Sequence, residues 1–587
     1  MKGSSAEILV KYLEQEGVEY IFGIPGGHLL PLYDALYKNG KIKPILAKHE
    51  AGAAFMAYGY AATSGKIGVC CGTVGPGATN LVTGVASAYM DSVPVLALTA
   101  QVGTTAIGKG ALQEGAGVGR TVDQVALFEK ITKLSTMELR GKNMPDTIRR
   151  ALRVALSGRP GPVHIDLPAD VQGENIEADI LPLSSYRPVV VNSVNTAQIK
   201  MATDFLLKAS KPAILVGYGA ASAPEANNSL VNLAEQLGTP VATTLRAKGI
   251  FPEDHPLALG CVGLYGTRAA NSYLRSGVDV LLSLGTSFHE FTSHCWDPAF
   301  IPSRALIQVD IDPTEIGKNY PVTLALVGDV NTTLKALVVE IGSAQRKGED
   351  IKAFKDGNEY FSEDAMFSDS LPVKPQRLMK ELRDVLPRDV VLFADIGNTL
   401  TWVERYFQAY PEGRFITLSG LAAMGSATAA CIGGKLGRPR SQVICICGDG
   451  DFHMTGMEVA TAASHGIPVI WIILKNSRLG MIHDVQSVSY QSRYISVTFS
   501  DTDFALLARA LGGQGYHVEK PSEIGPIMKE ALQKQGPVVI SVAIDNTEIP
   551  PMKPRMLALR RSLGLPGPME SFSWNAIKAL WRMIKER

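Results

Sequence analysis

VICICGDGDFHMTGMEVATAASHGIPVIWIILKN runs from Val443 to Asn476. An apolar strand stops at Gly448-Asp449-Gly450, one helix-length segment follows, and a second apolar strand ends at Asn476. Strand, helix and strand in that order read as a parallel pair covered on both faces, which is why both strands are continuously apolar. In open parallel sheets, ligands bind beyond the carboxyl ends of the strands. Asp449 and Asn476 would then lie side by side on that edge, and Gly448 and Gly450 let the backbone turn tightly and approach a ligand. A carboxylate and an amide oxygen form a hard-oxygen pair suited to Mg²⁺ shared with a diphosphate, because Mg²⁺ takes few protein ligands and keeps positions for phosphate oxygens and water. The backbone carbonyl of Arg478 would add a further oxygen. The plainer alternative is a strand-to-helix turn in which Asp449 only caps the next helix.

The same grammar of short apolar strand, glycine turn and amphipathic helix recurs three times along the 587 residues. The first segment, 1–175, holds YIFGIPGG (20–27) and IGVCCGTVGPGATN and closes at PVHIDLPAD. The second, 190–342, holds KPAILVGYGAAS (211–222), and the third, 375–548, holds VVLFADIGNT (390–399). Less apolar stretches around 176–194 and 343–375 read as linkers. The fold class expected is therefore α/β, with three doubly wound parallel-sheet domains. At 46% hydrophobic and 19% charged the chain is globular. With 57 basic against 56 acidic residues, nothing points to nucleic acid. No apolar run is long enough for a membrane span, and the N-terminus, MKGSSAEILVKYLEQEGVEY, reads as an amphipathic helix without signal-peptide features. The seven cysteines are irregularly spaced and lie mostly in apolar strands, as expected of reduced core thiols in a cytoplasmic protein.

With the Asp449-to-Asn476 spacing in hand, the segment resembles the thiamine-diphosphate motif, GDG followed at a distance by Asn. KHEAGAAFMAYGYAATSGKIGVC (48–70), GPGATN (75–80), DIGNT (395–399), GLAAMGSATAACIGG (420–434) and DIDPTEIGKN (310–319) extend the resemblance to most of the chain. It is strongest to the acetolactate (acetohydroxyacid) synthase branch of the thiamine-diphosphate enzymes. The resemblance implies pyrimidine-binding, central and diphosphate-binding domains, thiamine diphosphate and Mg²⁺ as cofactors, and carboligation or decarboxylation of a 2-oxo acid such as pyruvate. It implies small carbonyl substrates and a homodimer or homotetramer whose site is shared between subunits. Glu50 matches the family's catalytic glutamate, which hydrogen-bonds the aminopyrimidine, and its apolar surroundings would favour proton sharing. Asp449, Asn476 and Arg478 match the metal site. Cofactor contacts are implied for Pro25, Gly26, Gly397, Asn398, Thr399, Gly420, Ala422, Gly448, Gly450 and Asp451, and Met424 matches the apolar residue that wedges the cofactor into its bent form.

Departures from the branch define the alternative. Ser287, in GTSFHEF (285–291), stands where an arginine near the substrate and flavin is expected, and Val485 replaces a pocket tryptophan. These leave FAD open as a third cofactor, although CVGLYGTRAAN (261–271) partly resembles a flavin-contacting stretch. His28, in PGGHLL, resembles benzaldehyde lyase, where a histidine near the cofactor shuttles protons. Gln113, in GALQEGAG, matches a glutamine common to synthases and lyases. The alternative function is thus a thiamine-dependent lyase or ligase of 2-hydroxy ketones or 2-hydroxyacyl-CoA. Residues 549–587 form a basic tail whose Phe572, Trp574, Ile577, Trp581 and Ile584 share a helical stripe, a candidate for docking, for a lid, or for coenzyme A binding through Lys553, Arg555, Arg560 and Arg561. A scaffold that kept the fold without catalysis is opposed by the intact Glu50, Asp449 and Asn476. An NAD dehydrogenase is opposed by the absence of GxGxxG after the first strand.

Overall fold

The structure is a computed structural model that describes residues 1–187, 194–222, 226–346, 348, 350–355 and 363–550. The tail stripe and basic cluster read from the sequence lie outside the described residues. The chain builds three six-stranded, wholly parallel sheets. In the first, the strands run in the order Lys43–Leu46, Tyr20–Gly23, Gly68–Gly72, Val95–Gln101, Val163–Pro168, Ser135–Met137. The last sheet repeats that connectivity with Arg414–Ile416, Val391–Ala394, Val443–Gly448, Ile470–Lys475, Val538–Ala543 and Gln514–Val518. In both, the order reverses between the first and third strands in sequence, opening a crevice at the carboxyl edge. The middle sheet, from Ala258–Cys261 through Pro212–Val216 to Leu324–Val327, reverses between Pro212–Val216 and Val280–Leu284. This is the three-domain doubly wound α/β architecture that the repeated strand, turn and helix grammar implied.

The N-terminus departs from a single helix. Ser4 and Glu7 form a capping box that starts the helix at Ser5, so Lys2–Ser4 is released to pair antiparallel with Asn175–Glu177. The stretch expected as a linker after the first domain is also anchored, because Tyr186 is buried edge-on against Tyr12. Six cysteines are buried and Cys295 is half-buried, and all seven are free thiols. No helix among the described residues is long and apolar enough to cross a membrane.

The first and last domains share one core. The alanine-rich helix Glu50–Ser64 lies along Ser426–Gly437, and both contribute to a single apolar cluster. The approach is backbone to backbone. A Cβ on Gly59 would meet the Ala430 carbonyl oxygen at 1.9 Å, and one on Gly433 would meet the Met56 carbonyl oxygen at 1.8 Å. Glycine is normally unfavourable inside a helix, so these two are explained by the close approach they permit. Thr63 Oγ1 completes the contact by donating to the Gly434 carbonyl at 3.2 Å.

Gly433→Ala therefore gains helix propensity but forces the pair apart, and should lower stability by about 1–3 kcal/mol. Gly536→Ala, with nothing within 4 Å of its Cβ position, is the control. Thermal unfolding that ranked the two variants equally would remove this account of the interface.

Candidate active site

At the crevice of the last sheet, three helices begin within one cleft. They are Asn398–Tyr406, Asp449–Thr455 and Gly480–Ser489, and their first residues line it with Met424, Asn476, Arg478, Asp545 and Glu548. No side chain caps Asn398–Tyr406 or Gly480–Ser489, whereas Asp451 and Asp449 accept the Gly448 and Gly450 amides at the start of Asp449–Thr455. The free amides and aligned dipoles of the two uncapped helices make the cleft a place for an anion. Gly397, at φ +74°, supplies the left-handed turn that starts the first of them.

Asp449 is 2% exposed. Its Oδ2 accepts the amides of Asn476 at 2.8 Å and Ser477 at 2.5 Å, and its Oδ1 accepts that of Gly450 at 2.9 Å. The expected juxtaposition of Asp449 with Asn476 is thus made by the backbone of the neighbouring strand end. Burial pushes the Asp449 carboxyl up, and the three amides pull it back. Asp451 is buried and accepts the Gly448 amide at 3.0 Å. Burial raises it strongly, and the nearby charge of Asp395 raises it further. Asn398 donates to Asp484 at 2.8 Å, while its buried Oδ1 has no partner in the protein. Among the described residues no three His, Cys, Asp or Glu converge as a metal cage. A cation held here would take few protein ligands, the habit of Mg²⁺. Arg478 lines the cleft, and its guanidinium bonds the Asn546 carbonyl.

The second group of expected residues lies at the crevice of the first sheet. Glu50 opens its helix, is 8% exposed, and accepts Asn80 Nδ2 at 2.9 Å. Asn80 belongs to the GPGATN motif but was not singled out by sequence, although an amide on the helix after a glycine turn is the signal that marks it. Gly26 packs so closely on Thr73 that a Cβ would lie 2.3 Å from its hydroxyl. Pro25 and Gln113 are exposed, and Gln113 is held at φ +64° beside Gly75. His28 is half-buried on a single helical turn whose carbonyl accepts Gln172 Nε2 at 2.9 Å. None of these residues lines the cleft around Asp449. Gly420 and Ala422 do not line it either. The Gly420 amide is held by Asp91 at 3.0 Å, and Ala422 sits at φ +57°.

Beneath Glu50 lies a buried polar network. Asp166 accepts Thr99 at 2.6 Å, Gln101 at 2.9 Å and Gln124 at 2.8 Å. Gln124 in turn accepts the amide of Gly75, at the turn leading to Asn80, at 2.6 Å. His164 is stacked on Phe128 at 4.1 Å and bonded to Thr99 and Ser135. Burial holds its imidazole down at about 3, and burial pushes Asp166 up to about 7.

Comparison with known proteins agrees with this geometry. Residues 4–127 match the N-terminal TPP binding domain of thiamine pyrophosphate enzymes, 199–337 their central domain and 395–542 their C-terminal TPP binding domain. A probable acetolactate synthase large subunit of Methanocaldococcus jannaschii is 40% identical over 572 residues, covering 94% of each chain. The acetolactate synthase isozyme 2 large subunit of Escherichia coli is 35% identical over 551 residues, covering 93% of this chain and 96% of that one. The acetolactate synthase large subunit of Corynebacterium glutamicum is 35% identical over 567 residues, covering 94% and 88%. The chain belongs to the thiamine pyrophosphate enzyme family, in its acetolactate synthase-like branch. It is an enzyme of C–C bond chemistry whose first and last domains are thiamine-diphosphate-binding domains.

The Asp166 shift has a measurable consequence. Its folded value lies above the unfolded 3.8, so the stability tied to its protonated form is present below about 4 and lost as pH rises through about 7. His164 works in the opposite sense below 6.5, so the contribution of Asp166 is isolated against Asp166→Asn. The stability of wild type relative to this variant should fall by at most about 4 kcal/mol from pH 4 to 8, and then level off. Parallel pH profiles in denaturant unfolding would show that Asp166 is ionised in the folded protein.

Proposed function

We propose that the protein is a thiamine-diphosphate- and Mg²⁺-dependent carboligase that cleaves a 2-oxo acid such as pyruvate and joins the fragment to a second carbonyl compound. The observation that carries this reading is the convergence of three helix N-termini, two of them uncapped, on the Asp449–Asn476 pair. The diphosphate would lie on the amides of Asn398 and Thr399, and the Mg²⁺ would be held by Asp449, Asn476 and the Arg478 carbonyl. Bound thiamine diphosphate supplies a carbon nucleophile that stores the electron pair released on C–C cleavage. Glu50, oriented by Asn80, would exchange a proton with the aminopyrimidine ring. Met424, which meets Gly450 across the cleft, would fix the angle between the two rings. His28 and Gln113, at the Glu50 face, are proposed to donate to the oxygen of the bound fragment. The cytoplasm, where free thiols persist, is the proposed compartment.

The site is proposed to form between two copies of the chain. Lys48 and His49 donate their amides to Glu458, which follows the helix Asp449–Thr455 through a single 3-10 turn. Within one chain, the cleft around Asp449 is lined by residues 396–548 alone, and Glu50 is not among them. Tyr89, Met90, Leu421, Met454 and Met457 are exposed apolar side chains around the Gly420 loop, a face that a second copy would cover.

A flavin fits less well. At the crevice of the middle sheet the amides of Gly217 and Gly219 are already engaged, by the Leu284 carbonyl at 2.8 Å and the Gly285 carbonyl at 3.0 Å. Tyr218 stands between them under the Arg246 guanidinium, 3.7 Å from ring centroid to carbon. A dinucleotide needs those amides and that space, so no FAD is assigned.

One observation favours the lyase-like reading of the acceptor side. Val485 packs with Met481 and Val488 against Tyr265 of the central domain, giving an apolar wall. Ser287 bonds Glu315, and the nearby Arg159 is already paired to Glu315 at 3.0 Å. Losing a charge-assisted arginine contact removes about 1.5–3 kcal/mol of carboxylate binding, or roughly 10- to 150-fold. With thiamine diphosphate, Mg²⁺ and pyruvate, equal acetaldehyde and 2-oxobutyrate should therefore give mainly the acetaldehyde product. Predominant 2-aceto-2-hydroxybutyrate would restore ordinary acetohydroxyacid synthesis, and no product from pyruvate would overturn the donor assignment.

A further inference from the structure

Asp91 is fully buried at the C-terminus of helix Pro76–Asp91, a place that disfavours negative charge. Its carboxylate is met from all three domains. Tyr58 of the first domain donates its hydroxyl to Oδ2 at 3.0 Å, Arg246 of the central domain pairs with Oδ1 at 3.2 Å, and Gly420 of the last domain donates its amide to Oδ1 at 3.0 Å. Arg246 also donates to the Asp91 carbonyl at 2.7 Å. A buried carboxylate is expensive unless its lone pairs and its charge are matched, and here both are.

What this arrangement fixes is the loop from Gly420 to Gly425. Its far end is held by a second buried carboxylate, Asp395, which accepts the amides of Gly425 at 3.2 Å and Thr428 at 2.9 Å. Between the two anchors the backbone passes through Ala422 at φ +57° and Gly425 at φ +78°. A non-glycine residue in the left-handed region persists only where its surroundings over-determine it. The side chain delivered at the end of this path is Met424, which lines the cleft. A Cβ on Gly420 would lie 2.4 Å from Asp91 Oδ1, so the approach to Asp91 requires glycine at 420. Gly420, Leu421 and Ala422 are exposed, and only Ala423 of the loop packs on the core shared by the first and last domains.

We propose that Asp91, charge-matched by Arg246, is a positioning residue that sets the Gly420–Gly425 loop and, through it, the placement of Met424 in the cleft. A carboxylate of the first domain and a cation of the central domain thereby register the diphosphate-binding domain. The inference rests on the reading of Met424 as a wall of the cofactor cleft. The loop order itself can be measured without cofactor or substrate.

The test is amide hydrogen exchange, followed by mass spectrometry, on the cofactor-free full-length protein. In Asp91→Ala the Gly420 amide, and with it the Ala422 amide that bonds the Leu418 carbonyl at 3.2 Å, should exchange about 10- to 100-fold faster, the loss of one hydrogen bond to a charged group. The strands Val391–Ala394 and Val443–Gly448 should be unchanged. Tyr58→Phe, which removes a different donor from the same carboxylate, should leave the loop unchanged. If Asp91→Ala does not yield folded protein, Gly420→Ala attacks the same contact from an exposed position and should give the same local signature. In the loaded enzyme both variants should lose turnover while the donor KM stays within about three-fold. Loop exchange at the wild-type rate in either variant, or faster exchange spread evenly over the domain, would overturn the proposal. A wild type that turns over no 2-oxo acid would count against the proposed reaction but leave the exchange result standing.

Discussion

The contact on which the rest depends is the backbone-to-backbone packing of helix Glu50–Ser64 on Ser426–Gly437. Gly59 and Gly433 allow it, since a Cβ at either position would overlap a carbonyl oxygen. The contact joins the first and last domains through one apolar core. It also fixes the direction in which each domain presents its crevice. Glu50 leaves from the start of one helix, whose neighbours Lys48 and His49 are pinned to Glu458. Asp449 opens the helix that precedes Glu458 in the chain. Glu50 does not line the cleft around Asp449 within one chain, and under the proposed function each crevice is half of a site completed by a second copy.

Each half is built by the same means. A parallel sheet reverses its strand order, and helices that carry the site residues start at its carboxyl edge. In the last domain these helix starts supply the amides for an anion, and Asp449 is oriented by the amides of Asn476 and Ser477. In the first domain the Asp166 network orients the Gly75 turn, and Asn80 orients Glu50. The central domain has the same kind of crevice but has closed it with Tyr218, Arg246 and the Gly285 turn. Its role in this account is to hold the other two, chiefly through Arg246 on Asp91.

The fold class was legible because continuous apolar strands spaced by helix-length segments admit little besides covered parallel sheets. Asp449 beside Asn476 was legible for the same reason, since one strand–helix–strand unit places them on one edge. Long-range partners were not legible. Nothing local in the sequence ties Asp91 to Gly420, residues that are 329 positions apart. Gly420 and Ala422, expected as cofactor contacts, lie outside the one-chain cleft around Asp449, with Gly420 close to the Asp91 carboxylate and Ala422 at φ +57°. The helix start at Ser5 depends on the Ser4–Glu7 capping box, which the amphipathic pattern alone does not mark. Asp395 was quoted within DIGNT but passed over, because a buried carboxylate that organises backbone amides looks in sequence like any acidic residue after a strand.

The central claim is that Glu50 of one chain works with Asp449 of another. Subunit mixing tests it most directly. Glu50→Gln and Asp449→Ala, each inactive alone, are unfolded, mixed and refolded together. A shared site leaves one fully wild-type centre in each mixed dimer, so random pairing should restore roughly a quarter of wild-type activity. Activity that stays at the level of the separate variants, with mixed dimers shown to have formed, would place Glu50 and Asp449 in the same chain's site and contradict the account.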